Sequence, residues 1–475
     1  MTVDELKALV KNTLELKSEG QHLELKAAKK ECPRKLYGTL SSFSNQKEGG
    51  IILLGIDETK GFELCGVDDI QTVQQQLTEQ CNQMIPKVRP VFTVAVIDGK
   101  TVCSVEIPEM ELHNRPCYYG GAGLPSGAYI RVGEADLKMT DYEIWNIEAF
   151  KAQIHSDLRV VDADISELVD EAEIDNYLVM QRRARPGFSR LDRETALKWL
   201  ELYKDGKPTL ASLMTFGLYP QAVFPQFAIT AMVVSGTEIG DVSDKGARFT
   251  SNNRIEGTIS EMASGAVAFC IRNMKTSVSI NPKTGVRTDR NEYPIEALRE
   301  AILNALIHRD YSEYTESMPI QIIFFADRLE VRSPGNLYGK MTVEQLGYDR
   351  CPLRNPSLAT MNEFVTGTEN RNSGIPTMRR AMKEHGLRPP VFENRRNEFV
   401  VTFYNEIVEA DVDNKSHLNE FLKVPRSKKE ISSFLGYESV SYAFRKYIEP
   451  MIKEGKIRLT DPDNPGSHHQ KYYLA

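Results

Sequence analysis

The sequence has no long apolar run, few cysteines and no excess of positive charge, and each absence excludes a class of protein. No segment approaches the ~18–20 apolar residues that span a bilayer, so we expect no membrane association. Seven cysteines, odd in number and unclustered, argue against a disulfide framework or a zinc site. They indicate a reducing compartment, and we expect a cytoplasmic protein. The net charge of −7 provides no general attraction for nucleic acid, so any such binding depends on local basic patches.

The chain also lacks internal repeats, low-complexity segments and the Gly-x4-Gly-Lys-Ser/Thr phosphate loop of P-loop helicases. A length of 475 residues indicates three or four domains. Helical and strand patterns are mixed along it, which predicts an α+β multidomain fold. We expect four regions: a nucleic-acid-binding α/β domain, a connecting α/β region, an α/β sandwich and a winged helix-turn-helix, at residues 1–150, 151–290, 291–408 and 415–475.

Local signals in the first region predict several elements. The apolar run Gly50–Asp57 is typical of a buried strand. Asp98-Gly99, between the apolar segments 92–97 and 101–107, predicts a two-residue hairpin. Thr140 is placed to cap a following helix.

Acidic residues near the amino terminus form the first candidate site. Glu19 and Glu24 stand five residues apart, the second in an alternating Glu-Leu-Lys strand, and Asp57 ends the buried strand. If the strands pair, three carboxylates converge near Lys26, a set that attracts a hard divalent cation able to activate water. Ordinary surface charge is the simpler alternative, and the residue types alone leave it open.

The motifs around these residues resemble the Schlafen/AlbA-type (divergent AAA) domain. The matching strings are Glu19-x4-Glu24-Leu-Lys26, Ser41–Asn45, Gly49–Asp57, Arg115–Tyr119 and Tyr129–Gly133. In nuclease members of that family two Glu and one Asp are catalytic, which implies Glu19, Glu24 and Asp57 as catalytic residues binding Mg²⁺ or Mn²⁺. Many members are known only as nucleic-acid binders, so the carboxylates do not by themselves imply cleavage. Lys26 and Arg131 are the expected phosphate contacts.

A helix from Ile295 to His308 carries the second candidate site. Its spacing places Glu300, Asn304 and His308 on one face. An amide there is able to ligate a magnesium ion carried by nucleotide phosphates, and a Glu one turn earlier can orient water. A helix with satisfied polar residues beside a core explains the same spacing.

This segment resembles the GHKL-type domain found at the end of RecG-like regulators. The matching strings are Glu300–Tyr311, Leu329–Gly335, Arg354-Asn355-Pro356 and Ser373–Pro376. The resemblance implies ATP binding, with Asn304 on Mg²⁺, Glu300 on the water, and Gly335 and Gly374 in loops around the nucleotide.

Two departures from the GHKL ATPases favour ATP binding over ATP hydrolysis. Ser333 stands where an Asp normally reads the adenine amino group, and Asn372 stands where a further Gly is usual in the phosphate loop. A dimerising scaffold is the alternative role, and we expect a homo-oligomer.

The tail resembles the winged helix that closes many such regulators. Ser427 and Glu430 fit a capping box, and a second helix follows. In a helix-turn-helix that second helix enters the DNA major groove, which implies Lys428, Arg445 and Lys446 as nucleic-acid contacts. Protein contacts are the open alternative for this fold.

Two functions follow from these features. The first is a DNA-binding transcriptional regulator that binds ATP. The alternative is a metal-dependent endoribonuclease of Schlafen type that acts on tRNA or other structured RNA in phage defence, for which a basic groove beside the carboxylates is required.

Overall fold

The structure is a computed structural model, and it confirms a mixed α+β multidomain fold. It describes residues 1–162, 169–242, 249–280, 287–366, 373–406, 418, 421–435, 444, 448–453, 455–460 and 470–474. Over these ranges no helix combines the length and apolarity needed to cross a bilayer.

The amino-terminal unit is a four-stranded sheet between helices. Its helices are α1 (Val3–Leu16), α2 (Tyr37–Asn45), α3 (Ile70–Asn82), α4 (Leu124–Gly127) and α5 (Asp141–Lys151). Its strands are β1 (Leu23–Lys26), β2 (Gly50–Leu54), β3 (Ile56–Asp57), β4 (Glu63–Leu64), β5 (Met84–Ile85), β6 (Val91–Ile97), β7 (Lys100–Ile107), β8 (Tyr118–Tyr119), β9 (Tyr129–Val132) and β10 (Ala135–Lys138). The main sheet has the order β1-β2-β7-β6, and only β1 and β2 in it run parallel.

Strand β2 is apolar along its whole length because both faces of the sheet are covered. Leu53 packs with α1 residues such as Leu6, whereas Ile52 and Leu54 pack with α2 and α3. Alternation on β1 therefore turns Glu24 and Lys26 towards the α2 side of the sheet.

Three local predictions in this unit are confirmed. Strand β2 occupies Gly50–Leu54 of the predicted apolar run, which breaks at Gly55, and the last two residues of the run form β3. Asp98 and Gly99 join β6 to β7 with φ of 50° and 77°, the left-handed values of a type I′ hairpin. Thr140 caps α5, accepting a hydrogen bond from the Glu143 N–H in a complete capping box.

The larger unit is built on a six-stranded sheet with helices covering one face. Its sheet strands are β13 (Ile229–Val234), β14 (Phe249–Ile255), β17 (Ile320–Phe324), β18 (Arg328–Pro334), β19 (Val391–Asn394) and β20 (Glu398–Tyr404), in the order β14-β13-β17-β18-β20-β19. Smaller hairpins are β11 (Tyr203–Lys204) with β12 (Lys207–Pro208), and β15 (Thr276–Ile280) with β16 (Arg287–Asn291). Its helices are α6 (Glu171–Ala184), α7 (Arg193–Trp199), α8 (Leu210–Phe216), α9 (Ile259–Asn273), α10 (Ile295–His308), α11 (Pro356–Thr366) and α12 (Gly374–Glu384).

This sheet crosses the boundary expected at residue 291. Strand β13 pairs in parallel with β17, with Ile229 opposite Ile320. One hydrophobic core runs from Val161 to Phe403 and includes residues of both expected regions. The two regions are therefore one structural unit, because the strands that complete the sheet lie before the boundary.

The last part of the chain forms a small unit of its own. It contains α13 (Lys428–Phe434), α14 (Glu449–Lys453) and a three-stranded sheet of β21 (Arg426–Ser427), β22 (Ile457–Leu459) and β23 (Lys471–Leu474). The predicted Ser427–Glu430 capping box is present, and Phe444 and Ile448 lie in the core of this unit.

Candidate nucleic-acid and nucleotide sites

Glu24 lies at the centre of the amino-terminal cluster, and both of its carboxylate oxygens are engaged by cations. Lys26 Nζ is 2.5 Å from Oε1, and Arg131 Nη2 is 2.9 Å from Oε2. Burial alone would lower the pKa of Lys26, but the charges of Glu24, Glu58 and Glu19 outweigh it and raise that pKa. The ammonium therefore stays charged at neutral pH.

Arg131 is buried behind Glu24 instead of lying on the surface. Its side chain is 1% exposed, pairs with Asp136 at 3.0 Å, donates to the Leu23 carbonyl and lies over the Phe43 ring. Burial works to lower its pKa, but Asp136 and Glu24 outweigh this and raise it. This placement corrects the expectation that Arg131 contacts phosphate, because both ends of its guanidinium are bound inside the domain.

Glu19 lies beside the carboxylates of Glu24 and Glu58. Its Oε1 accepts a hydrogen bond from the Leu25 N–H at 2.8 Å. Burial, a hydrogen bond with Glu58 and the negative charges of Glu24 and Glu58 raise its pKa to about 7. Glu19 is therefore partly protonated at neutral pH.

The third carboxylate beside Glu19 is Glu58, whereas Asp57 is used locally. Asp57 accepts hydrogen bonds from the Thr59 N–H and hydroxyl and lies 3.4 Å from Lys60; the Thr59 contact lowers its pKa. Glu58 Oε1 is 3.7 Å from Lys26 Nζ. The expected set of Glu19, Glu24 and Asp57 is thus not brought together. Sequence reasoning missed Glu58 because nothing in its spacing distinguishes it from its neighbour.

A divalent cation does not fit this cluster as it stands. Across the described ranges, no three His, Cys, Asp or Glu side chains are arranged to hold a metal ion. The oxygens of Glu24 are taken by Lys26 and Arg131, so the neutralising charge comes from the protein itself.

The second site is a pocket between α10 and the sheet. Glu300, Asn304 and His308 all line it, which places the three residues of the predicted helix face in one cavity. Helix α10 spans the predicted residues, Ile295–His308. The apolar walls come from the sheet, the facing helix and the loop after β18, at Val331, Met341, Ile375, Met378, Phe399 and Val401.

The polar end of the pocket lies where α12 begins. A Cβ added to Gly374 would come within 2.9 Å of Glu300 Oε2 and 3.0 Å of Asn304 Nδ2, so the backbone at Gly374 lies directly against these two side chains. Ser373, at the helix start, makes no capping hydrogen bond through its side chain. The positive end of α12 therefore faces the carboxylate and amide of α10.

Ser333 and Gly335 form the wall at the carboxyl end of β18. The Ser333 hydroxyl donates to the Ala305 carbonyl at 3.0 Å. Gly335 has φ of +106°, and a Cβ there would lie 2.6 Å from Asp310 Cβ. Glycine is required at this turn because the backbone passes directly over Asp310.

A buried ion pair closes the pocket beside His308. Arg354 and Asp310 form a salt bridge in which their side chains are 6% and 3% exposed. The Asp310 carboxylate also accepts from the Tyr142 hydroxyl at 2.8 Å, and Arg354 donates to the Asn336 carbonyl at 2.7 Å. Tyr142 belongs to α5, so the network joins the amino-terminal unit to the pocket wall.

The imidazole of His308 is held neutral in this pocket. It is exposed towards the pocket, on a wall that it shares with Asn304 and Arg354. Desolvation and the charge of Arg354 lower its pKa to about 4. His308 therefore offers neutral hydrogen-bonding groups to a ligand.

The residues of the pocket fit a nucleotide with its magnesium ion. The glycine backbone approach, the uncapped helix start, the Asn304 amide and the Glu300 carboxylate lie at one end, and the apolar walls lie beside them.

The carboxy-terminal residues expected to bind nucleic acid are only partly described. Lys428 Nζ lies 4.5 Å from the centre of the Phe444 ring. Arg445 and Lys446 lie outside the described residues.

Comparisons with known proteins agree with this organisation. Residues 19–140 match the family described as "Schlafen, AlbA_2", and residues 317–403 match "Putative ATP-dependent DNA helicase recG C-terminal". No curated protein matches the chain.

The solved structures to which the chain is similar include the following two. The DIP2311 protein from Corynebacterium diphtheriae is 19% identical, with 99% of this chain and 97% of that chain covered and a TM-score of 0.41. The amino-terminal domain of a "Putative ATP-dependent DNA Helicase RecG-related Protein" from Nitrosomonas europaea is 27% identical, with 30% and 94% covered and a TM-score of 0.23. The chain therefore contains one segment that matches the Schlafen AlbA_2 family and, further along, one that matches the RecG carboxy-terminal family.

Proposed function

We propose that this protein is a DNA-binding transcriptional regulator that binds ATP in the pocket of the six-stranded sheet. The Schlafen AlbA_2 match supports nucleic-acid binding, and the RecG-type match supports ATP binding. The observation that carries the proposal is the meeting of Gly374 with Glu300 and Asn304, a backbone cradle at a helix start beside a magnesium-ligating amide.

Each end of the pocket has a role in this proposal. Backbone N–H groups at the start of α12 bind the phosphates, and the Asn304 amide oxygen ligates their Mg²⁺, which neutralises phosphate charge when bound. Glu300 orients water next to Asn304. The adenine ring packs between apolar side chains such as Val331 and Val401.

The ion pairs of the amino-terminal cluster favour nucleic-acid binding over nucleic-acid cleavage. A nuclease needs Glu24 free to ligate a metal, but Lys26 and Arg131 occupy its two oxygens. We therefore place the endoribonuclease second, as the alternative that the cleavage experiment below addresses.

The Tyr142 network supports regulation by the nucleotide. Arg354 and Gly335 line the pocket, and both contact Asp310, to which Tyr142 of α5 is bonded. A ligand that moves this wall changes the position of α5. Because α5 belongs to the nucleic-acid-binding unit, the position of that unit changes with it.

Nucleotide binding is tested by titrating a fluorescent ATP analogue with Mg²⁺ into the full chain. We expect Asn304→Ala to weaken binding at least about tenfold, since it removes the oxygen that ligates the phosphate-bound Mg²⁺, whereas Glu300→Gln, which changes only the group that orients water, should weaken binding less. Glu296→Gln is the matched control, because Glu296 lies one turn earlier on α10, is exposed and pairs with Arg380. Wild-type affinity in all three variants would reject the pocket as the ATP site.

Cleavage is tested by incubating the protein with tRNA and with duplex DNA, with and without Mn²⁺, beside Glu24→Ala and Glu19→Gln. We expect intact nucleic acid and duplex binding by the wild type. Metal-dependent cutting by the wild type alone would move the endoribonuclease to first place.

A further inference from the structure

Four arginines occupy the end of α6 and the turn after it, in the region between the two family matches. They are Arg182, Arg183, Arg185 and Arg190, and we call residues 182–190 the arginine segment. Between Asp175 and Asp192 the chain has no acidic residue. The segment is thus a local positive patch in a chain whose net charge is −7.

Three of the four side chains are directed to solvent. Arg183, Arg185 and Arg190 are exposed, and none of them forms an ion pair with any residue that the structure describes. Arg182 is half-buried and donates to the Leu191 carbonyl at 3.3 Å, so it holds the turn in place. The three exposed guanidinium groups are available to a partner.

Several other exposed arginines of this protein have carboxylate partners. Arg193, close to the segment in sequence, pairs with Glu171 and with Asp175 at 3.1 Å. Arg380 and Arg388 pair with Glu296 and Glu406. A cluster left without such partners on an acidic protein is typical of a surface whose anion is supplied from outside.

An aromatic ring lies within this patch. The Arg185 guanidinium is 6.0 Å from the centre of the Phe188 ring and 5.8 Å from that of Phe364. Arginines beside partly exposed aromatic rings bind phosphates and stack with bases, whereas an acidic peptide needs only the charges.

We propose that the arginine segment is a second nucleic-acid contact, which binds backbone phosphates through Arg183, Arg185 and Arg190. This inference rests on the proposed nucleic-acid-binding function and extends it to the part of the chain that neither family match covers. The contact is independent of base sequence, because phosphates carry no sequence information.

The test measures binding of the full chain to labelled duplex DNA and to a labelled single strand by fluorescence anisotropy across a series of salt concentrations. The variant replaces Arg183, Arg185 and Arg190 by Gln. We expect its affinity to fall at least about tenfold, and the slope of log affinity against log salt to fall by about 2–3, since each lost phosphate contact removes about 0.9. Arg193→Gln is the matched control and should bind as the wild type.

The outcomes separate this inference from the proposed function. A triple variant with the affinity and salt slope of the wild type would overturn the inference and leave the proposed function standing. A wild type that binds neither probe would overturn both. Competition by polyglutamate as strong as that by nucleic acid of equal charge would assign the segment to an acidic protein and overturn the inference. Thermal melting of each variant checks the fold, which these exposed substitutions should leave unchanged.

Discussion

Replacing Arg354 by Met is expected to destabilise the larger unit strongly. The substitution keeps the length of the side chain but removes the guanidinium that neutralises Asp310, a carboxylate only 3% exposed. Asp310 would keep two hydrogen-bond donors, the Tyr142 hydroxyl and the Ser312 N–H, each at 2.8 Å. Neither donor carries a positive charge, so a buried negative charge would remain without its counter-ion.

The magnitude follows from this arrangement. Removing one partner of a buried ion pair costs about 3–5 kcal/mol, because the remaining charge stays desolvated. In the wild type, burial works to raise the pKa of Asp310, but the charge of Arg354 and the hydrogen bonds lower it. The wild-type carboxylate thus adds stability that is present above its unfolded pKa of about 3.9 and is lost on acidification. In the variant burial dominates and raises the pKa of Asp310, so the deficit should shrink as pH falls from 7 towards 4.

Urea unfolding followed by tryptophan emission measures the effect. Trp145 on α5 lies 5.7 Å from the Tyr314 ring, near the junction, whereas Trp199 is 64% exposed and contributes a nearly constant background. Arg388→Met is the control, because its pair with Glu406 is exposed and should contribute only about 0–1 kcal/mol. If Arg354→Met unfolds within about 1 kcal/mol of the wild type at pH 7, the argument from a buried counter-ion is refuted.

Three further substitutions test the sites. Gly335→Ala should lower the free energy of unfolding in urea by about 2–4 kcal/mol, because the φ of Gly335 is +106° and the new Cβ would meet Asp310. Gly187→Ala is the control: no atom lies near the new Cβ, so its free energy of unfolding should stay within about 0.5 kcal/mol of the wild type. Tyr142→Phe should cost about 1.5–3 kcal/mol in the same assay, since it removes a hydrogen bond to a charged carboxylate, and an unchanged midpoint would contradict that role. Glu19 has its pKa raised from 4.5 to about 7, so the wild type should lose unfolding free energy relative to Glu19→Gln as pH rises between these values, and a parallel pair of pH profiles would argue against it.

Elements with strong local signals were predictable from the sequence. The helix from Ile295 to His308, the Asp98-Gly99 hairpin and the Thr140 cap depend on residues that are close along the chain. The face of Glu300, Asn304 and His308 follows from helical spacing, and the pocket contains all three.

Features that depend on distant contacts were not predictable. The pairing of β13 with β17 joins residues about ninety positions apart, and no local pattern announces it. Glu58, and not Asp57, lies beside Glu19 because Asp57 accepts hydrogen bonds from Thr59 in a short turn. The burial of Arg131 depends on the position of Asp136 in the fold. In the sequence alone, an arginine that becomes buried cannot be distinguished from one that stays exposed.

The composition of the six-stranded sheet limits how this protein can be divided. A fragment that begins at residue 317, where the RecG-type match begins, would lack β13, β14, α9 and α10. Its strand β17 would become an open edge carrying Ile320, Ile322 and Phe324, and the pocket would lose Glu300 and Asn304. The segment that matches the RecG-type family is therefore smaller than the unit able to fold. A domain exchanged between related proteins has to include about a hundred preceding residues if it is to remain soluble and bind its ligand.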